Sequence, residues 1–218
     1  MDDNLLPLFP LEVVLFPDQI LSLHIFEERY KQMIGECLES TQLSPADGEF
    51  GVIYIHEGKL ESVGCTARIT EVIRRYDDGR LDILTRGQRR FEILFTNDEK
   101  RYLRGAVTSF EDEDSSPPPP NETEGARSLL REVMKRLPSA DSPPDLPPDI
   151  GTLSFRIAAA LPFGVESKQK VLVLRSERER MRLLAGLMAK LIRALDLRER
   201  ARSKASGNGD VTRLEGLR

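Results

Sequence analysis

Apolar residues in the first half of the chain recur with the two-residue period of β-strands, or form short continuous runs. These segments lie at residues 21–25, 50–55, 63–76, 80–95 and 103–110. Asp78-Gly79 stands between the two long segments, and Asp-Gly between apolar runs predicts a tight hairpin because glycine accepts a positive φ. The pattern therefore predicts five or six mostly antiparallel strands that form a small closed or half-closed barrel.

Helical periodicity occurs once within this half and throughout the second half. The inserted helix is predicted from an apolar stripe formed by Phe26, Tyr30, Met33, Ile34, Cys37 and Leu38. Beyond residue 115 the spacing predicts four helices, and Asn121, Asp149 and Ser176 are the expected N-caps of the first, second and fourth. The predicted fold class is α+β, with an antiparallel β-barrel followed by an α-helical bundle.

Acidic and proline-rich stretches divide the chain. The acidic run 111–114 leads into four consecutive prolines, and proline can neither continue a helix nor sit inside a sheet. We therefore predict a barrel at 1–114, a semi-rigid exposed linker at 115–121, a helical bundle at 122–202 and a tail without fixed structure at 203–218.

Charge is distributed unevenly along the chain. The 218 residues carry a net charge of −4, but residues 1–114 contain 13 Lys and Arg against 23 Asp and Glu. A domain this acidic repels a phosphate backbone, which argues against general nucleic-acid binding. Two cysteines are too few for a disulfide scaffold, no apolar run is long enough to span a membrane, and the acidic start differs from a secretory signal. The expected location is the cytoplasm, without membrane contact.

The sequence lacks the motifs of common catalytic sites: a phosphate-binding loop, a dinucleotide-binding glycine motif and a nucleophile elbow. His24 and His56 have no neighbouring ligands with metal-site spacing, and Cys37 and Cys65 fit apolar positions of a helix and a strand. We therefore predict no cofactor, no metal site and no enzymatic activity. A hydrolase that uses His24 or His56 with an acidic residue is the alternative.

Arginine is concentrated near the predicted hairpin, notably at Arg89 and Arg90. These side chains could bind phosphate or carboxylate groups of a ligand, or pair with acids of the same half. The pairing partners expected from the sequence are Glu71, Asp77, Asp78, Asp82 and Glu92. The net negative charge of this half favours pairing.

Several motifs resemble the N-terminal domain of the Lon protease family. They are LPLFPL at 6–11, VLFP at 14–17, LHIFEERY at 23–30, TRGQRRF at 85–91 and RMRLL at 180–184. The similarity extends over roughly residues 4–200, and the opening motif is specific for the family. The resemblance implies a PUA-like β-barrel with a following α-helical bundle, which agrees with the periodicity of the sequence.

In Lon proteases this domain precedes an ATPase module and a peptidase with a Ser-Lys dyad, and neither is found in this sequence. The resemblance implies a standalone Lon-domain protein that binds unfolded or tagged polypeptides without cleaving them, as an adaptor or chaperone-like factor in proteolysis. A protease or chaperone is an expected partner, and weak homo-oligomer formation is a further expectation. The alternative is an RNA-binding protein, because PUA-like barrels resemble RNA-recognition modules; this inference rests on fold alone.

Six residues are the candidates for polypeptide binding: Phe9, Phe16, His24, Arg89, Arg90 and Phe163. Phe9 and Phe16 precede prolines in predicted turns, and Phe163 lies in a predicted interhelical loop. Unfolded clients expose apolar segments, so a receptor for them needs accessible apolar groups. Each ring could be exposed for this purpose or buried as part of the core, and the sequence leaves both open.

Overall fold

The structure, a computed structural model, describes residues 5–43, 48–114, 116–137 and 153–207. Its strands are β1 (Leu6–Leu11), β2 (Ile20–Ile25), β3 (Glu49–His56), β4 (Lys59–Arg75), β5 (Leu81–Asn97) and β6 (Arg104–Ser109). Its helices are α1 (Glu28–Leu43), α2 (Pro120–Arg136), α3 (Leu153–Ala160), α4 (Val165–Val173) and α5 (Glu177–Gly207). The predicted α+β class, with one helix inserted among the strands and helices after them, is confirmed.

The six strands belong to one sheet in the order β2-β5-β4-β3-β1-β6. Strand β5 also pairs with β6, so β5, β4, β3, β1 and β6 form a closed circuit of pairings. Strand β2 lies outside this circuit, paired with the first third of β5 (Ile25 opposite Leu81). All pairings are antiparallel except that of β1 with β3.

The expectation of a turn at Phe9-Pro10 is wrong, because these residues lie inside β1. Phe9 and Pro10 are opposite Val52 and Ile53 of β3. On its other side β1 pairs with β6 only at Leu6 and Pro7, so Pro10 lies beyond the end of that ladder. A strand tolerates proline where no neighbour requires its amide proton.

Two tight hairpins connect β3, β4 and β5. The predicted turn at Asp78-Gly79 is confirmed, with Gly79 at φ +80° and the Gly79 amide donating to the Tyr76 carbonyl at 3.0 Å. The other turn, Glu57-Gly58, was not identified from the sequence. Both of its residues have positive φ, 48° and 75°, as the two-residue turns that match strand twist require.

Helix termini differ from the sequence prediction in two places. Helix α1 begins at Glu28, so Phe26 is not on its buried stripe and is 59 % exposed. Helix α2 begins at Pro120, where proline is favoured because the first helical amide has no partner, and the predicted cap at Asn121 is wrong. Asp149 lies outside the described residues. The predicted cap at Ser176 is confirmed, since its Oγ accepts the Glu179 amide at 3.5 Å.

One hydrophobic core joins the strands to the helices. Val14, Phe16, Tyr54 and Val63 from the first half are in the same buried cluster as apolar side chains of all the later helices. A second cluster lies between α1 and the sheet, and a third, small one surrounds Phe91. The two halves are therefore packed together through side chains, while the division into separate domains stays a prediction.

The two cysteines provide a test of this packing. Cys37 and Cys65 are 3 % and 0 % exposed, and burial raises the pKa of each thiol to about 12. A buried, protonated thiol does not act as a nucleophile. We expect neither thiol to react with 5,5′-dithiobis(2-nitrobenzoate) at pH 8 in the folded protein, and both to react in denaturant. Rapid reaction of a folded sample would contradict this packing.

Candidate functional site: a cleft between sheet and helices

A buried ionic cluster holds the start of α5 against the sheet. Arg90 of β5 and Arg180 of α5 both donate to Asp112, with N–O distances of 2.5–2.6 Å. Arg180 also donates to Glu177 at 2.7 Å, and Glu177 accepts from the Ser154 hydroxyl at 2.6 Å. Arg180 is completely buried and Arg90 is 5 % exposed. The cluster contains two cations and two anions, so its charges compensate one another.

Protonation in the cluster follows from its surroundings. Burial opposes ionisation of Asp112, but hydrogen bonds and charges from Arg180 and Arg90 outweigh it and hold its pKa below the ordinary value. Burial raises the pKa of Glu177 despite its bonds to Ser154 and Arg180. The guanidinium carbon of Arg180 lies 4.3 Å from the centre of the Phe155 ring. The two acids and an aromatic ring together replace the water that the arginines lose.

The acidic run before the prolines is attached to the helices. The Glu113 amide donates to the Arg175 carbonyl at 2.9 Å, and the Arg175 side chain binds the Glu113 carboxylate at 3.0 Å. Asp114 forms an isolated β-bridge with Ser176. Within the same run, the Asp112 carboxylate is bound by both Arg90 and Arg180. The connection between the halves therefore fixes the α4–α5 turn.

A cleft of ≈1010 Å³ lies between the β3–β4 hairpin and the fixed pair α4 and α5. It is lined by Glu61, Glu166, Gln169, Lys170, Val173, Leu174, Glu179, Arg182 and Leu183. Val173 is 43 % exposed and contributes apolar surface to this lining. Apolar side chains with charged groups around them form the kind of concave surface that binds ligands.

Gln169 occupies a special place in this lining. Its side-chain amide Nε2 donates to the Val63 carbonyl of β4 at 2.9 Å, and the residue is 5 % exposed. The Gln169 Oε1 atom is buried and has no hydrogen-bond partner. Because the Val63 carbonyl requires a donor, the amide cannot be turned around to satisfy the oxygen. An unsatisfied buried acceptor of this kind needs an explanation.

Two of the acids that line the cleft, Glu61 and Glu166, are here called the acidic corner. Both are exposed; desolvation raises the pKa of Tyr54, and the charges of Glu166, Glu12 and Glu61 raise it further. Among the residues that the structure describes, no ion pair within 4 Å is formed by any of them. A cationic group would relieve their mutual repulsion.

Three of the six sequence candidates are buried. Phe9 is 6 % exposed and packs on Tyr30, Phe16 is completely buried against Phe155, and Arg90 belongs to the ionic cluster. Both rings are therefore part of the core, which decides the alternative that the sequence left open. A buried side chain does not contact a polypeptide in this conformation.

The other three candidates are accessible but do not line the cleft. Arg89 binds Glu49 at 3.1 Å, so it is paired with an acid of the same half, although a different one from those expected. Phe163 is half-buried and packs against the helical core. His24 is on β2, and its Nδ1 lies 2.5 Å from Asp82 Oδ1. The structure thus separates these residues, and their role in binding stays a prediction.

The pair of His24 and Asp82 bears on the hydrolase alternative. Tyr76 donates from its hydroxyl to Asp82 Oδ2 at 2.7 Å, and this bond and that of His24 hold the Asp82 pKa below its ordinary value. In the described part of the chain, no serine or cysteine is hydrogen-bonded to His24. A histidine activates a nucleophile only within hydrogen-bond reach, so this pair lacks a second reactant. Over the same residues there is no cluster of potential metal ligands and no helix long and apolar enough to cross a membrane.

Sequence reasoning missed the residues that line the cleft. Gln169, Lys170 and Val173 lie in the predicted third helix, where the periodicity indicated nothing beyond amphipathic packing. Glu61 lies on the unpredicted hairpin. Only the exposure of Val173 and the orphaned Gln169 oxygen distinguish this surface, and neither has a sequence signal.

The cleft, with its apolar and charged side chains, thus has the properties of a ligand-binding surface. The model of one family, the substrate-binding domain of ATP-dependent protease La (Lon), matches residues 5–190. The chain belongs to this family, as its motifs indicated.

Relatives and solved structures agree with the family match. The chain is 27 % identical over 229 residues to Lon protease 2 of Myxococcus xanthus, covering 97 % of this chain and 27 % of the relative. Lon protease of Anaeromyxobacter dehalogenans is also 27 % identical, with 96 % and 26 % covered. The chain therefore spans about a quarter of the length of these relatives, and the match lies in their substrate-binding part and not in a protease or ATPase domain.

Two solved structures show the same fold. A Lon N-terminal domain protein from Xanthomonas campestris superposes with a TM-score of 0.64 at 24 % identity, covering 84 % of this chain and 98 % of that one. The N-terminal domain of a Mycobacterium avium complex Lon protease gives the same score at 16 % identity, with 85 % and 98 % covered. At this identity the likeness concerns the fold.

Proposed function

We propose that this chain is a non-catalytic polypeptide-binding module, with an adaptor or chaperone-like role in proteolysis, and that the cleft is its binding surface. The observation that carries the proposal is the partly apolar cleft with charged edges in a domain of the substrate-binding family. The closed circuit of strands supports a PUA-like barrel as the scaffold. A protease or chaperone is the proposed partner of the bound complex, in the reducing cytoplasm.

The cleft is suited to a chain that has lost its fold. Val173, Leu174 and Leu183 supply apolar contact, while the charged residues at the edge keep the surface hydrated when it is empty. The ionic cluster fixes the α4–α5 turn beside it, so little conformational entropy is lost when a polypeptide binds.

The arginines required by the RNA-binding alternative are already paired with acids of the protein. Arg90 is buried and bound to Asp112, and Arg89 is bound to Glu49. A guanidinium that is already paired with a carboxylate contributes little to phosphate binding. We therefore give polypeptide binding as the function.

Substitution of Val173 by aspartate tests the location. A labelled, reduced and carboxymethylated protein that cannot refold is titrated with the chain, at low and at physiological salt. We expect saturable binding without cleavage, and at least about tenfold weaker binding by Val173→Asp, because the carboxylate must be desolvated against an apolar segment.

Leu197→Asp is the matched control. Leu197 is 66 % exposed and lies 14 residues beyond Leu183 on α5, about 21 Å along the helix. The Leu197→Asp variant should bind the labelled protein as tightly as the original chain does. Equal losses of affinity in Val173→Asp and Leu197→Asp would show that the binding site is not in the cleft. No binding by the original chain, or cleavage of the labelled protein, would overturn the proposed function.

A further inference from the structure

We propose that the cleft selects an extended segment in which a lysine or arginine lies beside an apolar stretch. The acidic corner binds the cationic side chain, and the apolar lining of the cleft contacts the apolar stretch. This inference rests on the proposed function and adds the chemical class of the polypeptide to it.

The charges at the cleft favour a cationic ligand. Glu61 and Glu166 of the acidic corner line the cleft, together with the acid Glu179. Of the two lining cations, Arg182 is bound to Glu122 at 3.0 Å, which leaves Lys170 against these three acids in the described residues. Since unpaired acids outnumber unpaired cations, a lysine or arginine of the ligand gains attraction that a glutamate does not.

The shape favours an extended chain over a small molecule. A second cavity of ≈390 Å³ shares Glu179 and Arg182 with the cleft and continues it past Ser176 towards Asp114. The arginines at that end are already paired: Arg175 binds Glu92 and Glu113, and Arg178 binds Glu122. The arginines of the second cavity are therefore already paired with acids of the protein, whereas Glu61 and Glu166 form no ion pair within 4 Å in the described residues.

The charge preference is tested with three labelled decapeptides. They share a central apolar stretch of alternating Leu, Thr and Val, and are flanked by Lys, Ser or Glu. Fluorescence anisotropy should show the Lys peptide binding at least about tenfold more tightly than the Glu peptide. The Glu61→Lys/Glu166→Lys double variant should reverse this order. Glu199→Lys, on the exposed end of α5 about 24 Å along the helix from Leu183, should keep it.

The outcomes separate the two proposals. Equal affinity for the Lys and Glu peptides would overturn the inference. The proposed function would remain in place if the original chain still binds the carboxymethylated protein and Val173→Asp weakens that binding. Loss of all binding by the original chain would overturn both. The charge variants change exposed side chains, so we expect all of them to fold like the original chain.

Discussion

Replacement of Arg180 by methionine is expected to lower the free energy of unfolding by about 3–5 kcal/mol. Arg180 is completely buried and binds Asp112, Glu177 and the Leu174 carbonyl. Its removal leaves two acids in the interior with Arg90 alone, and a buried charge without its partner is costly. Urea unfolding monitored by circular dichroism measures this loss.

Arg182→Met is the control for Arg180. Arg182 is two residues further along α5, but it is exposed and binds Glu122 at the surface, where ion pairs contribute little. Its unfolding curve should lie close to that of the original chain. If Arg180→Met unfolds at the same urea concentration as Arg182→Met, the ionic cluster does not hold the two halves together.

Replacement of Phe16 by alanine is expected to lower the free energy of unfolding by about 3–5 kcal/mol. The ring is completely buried, 5.7 Å from the centre of the Phe155 ring, in the core that joins strands to helices. The chain just after Phe16 is held against β5, because the Asp18 amide donates to the Gly87 carbonyl at 2.9 Å. The site therefore cannot collapse fully to fill the cavity. Thermal and urea unfolding measure the loss.

Phe26→Ala is the matched control for Phe16. Phe26 is 59 % exposed and belongs to no buried cluster, so the expected loss is below about 0.5 kcal/mol. Phe16→Ala should also keep its affinity for the carboxymethylated protein under conditions in which it is folded. If a folded Phe16→Ala variant no longer binds the carboxymethylated protein, the Phe16 ring contributes to binding after all.

The sequence alone predicted the fold class because local patterns carry that information. Alternation of polar and apolar residues at 21–25 indicated β2, helical spacing indicated α1 and α5, and Asp78-Gly79 indicated the central hairpin. Each of these signals depends on residues close together in the chain. Helix starts were less certain, since proline at position 120 replaced the expected side-chain cap.

The candidate site depended on contacts that no local pattern records. Arg90 binds Asp112 because the chain passes the sheet again after β6. Phe16 is covered because α3 places Phe155 against it. The cleft combines Glu61 of a hairpin with Gln169 of α4, more than 100 residues later.

The sequence therefore determined the α+β architecture, the central hairpin and, through its motifs, membership of the Lon substrate-binding family. The tertiary structure decided which aromatic rings are core, which arginines are paired and where a cleft remains open. The physical reason is that secondary structure follows from neighbouring residues. Burial and charge pairing are instead set by residues that meet only when the strands and helices pack.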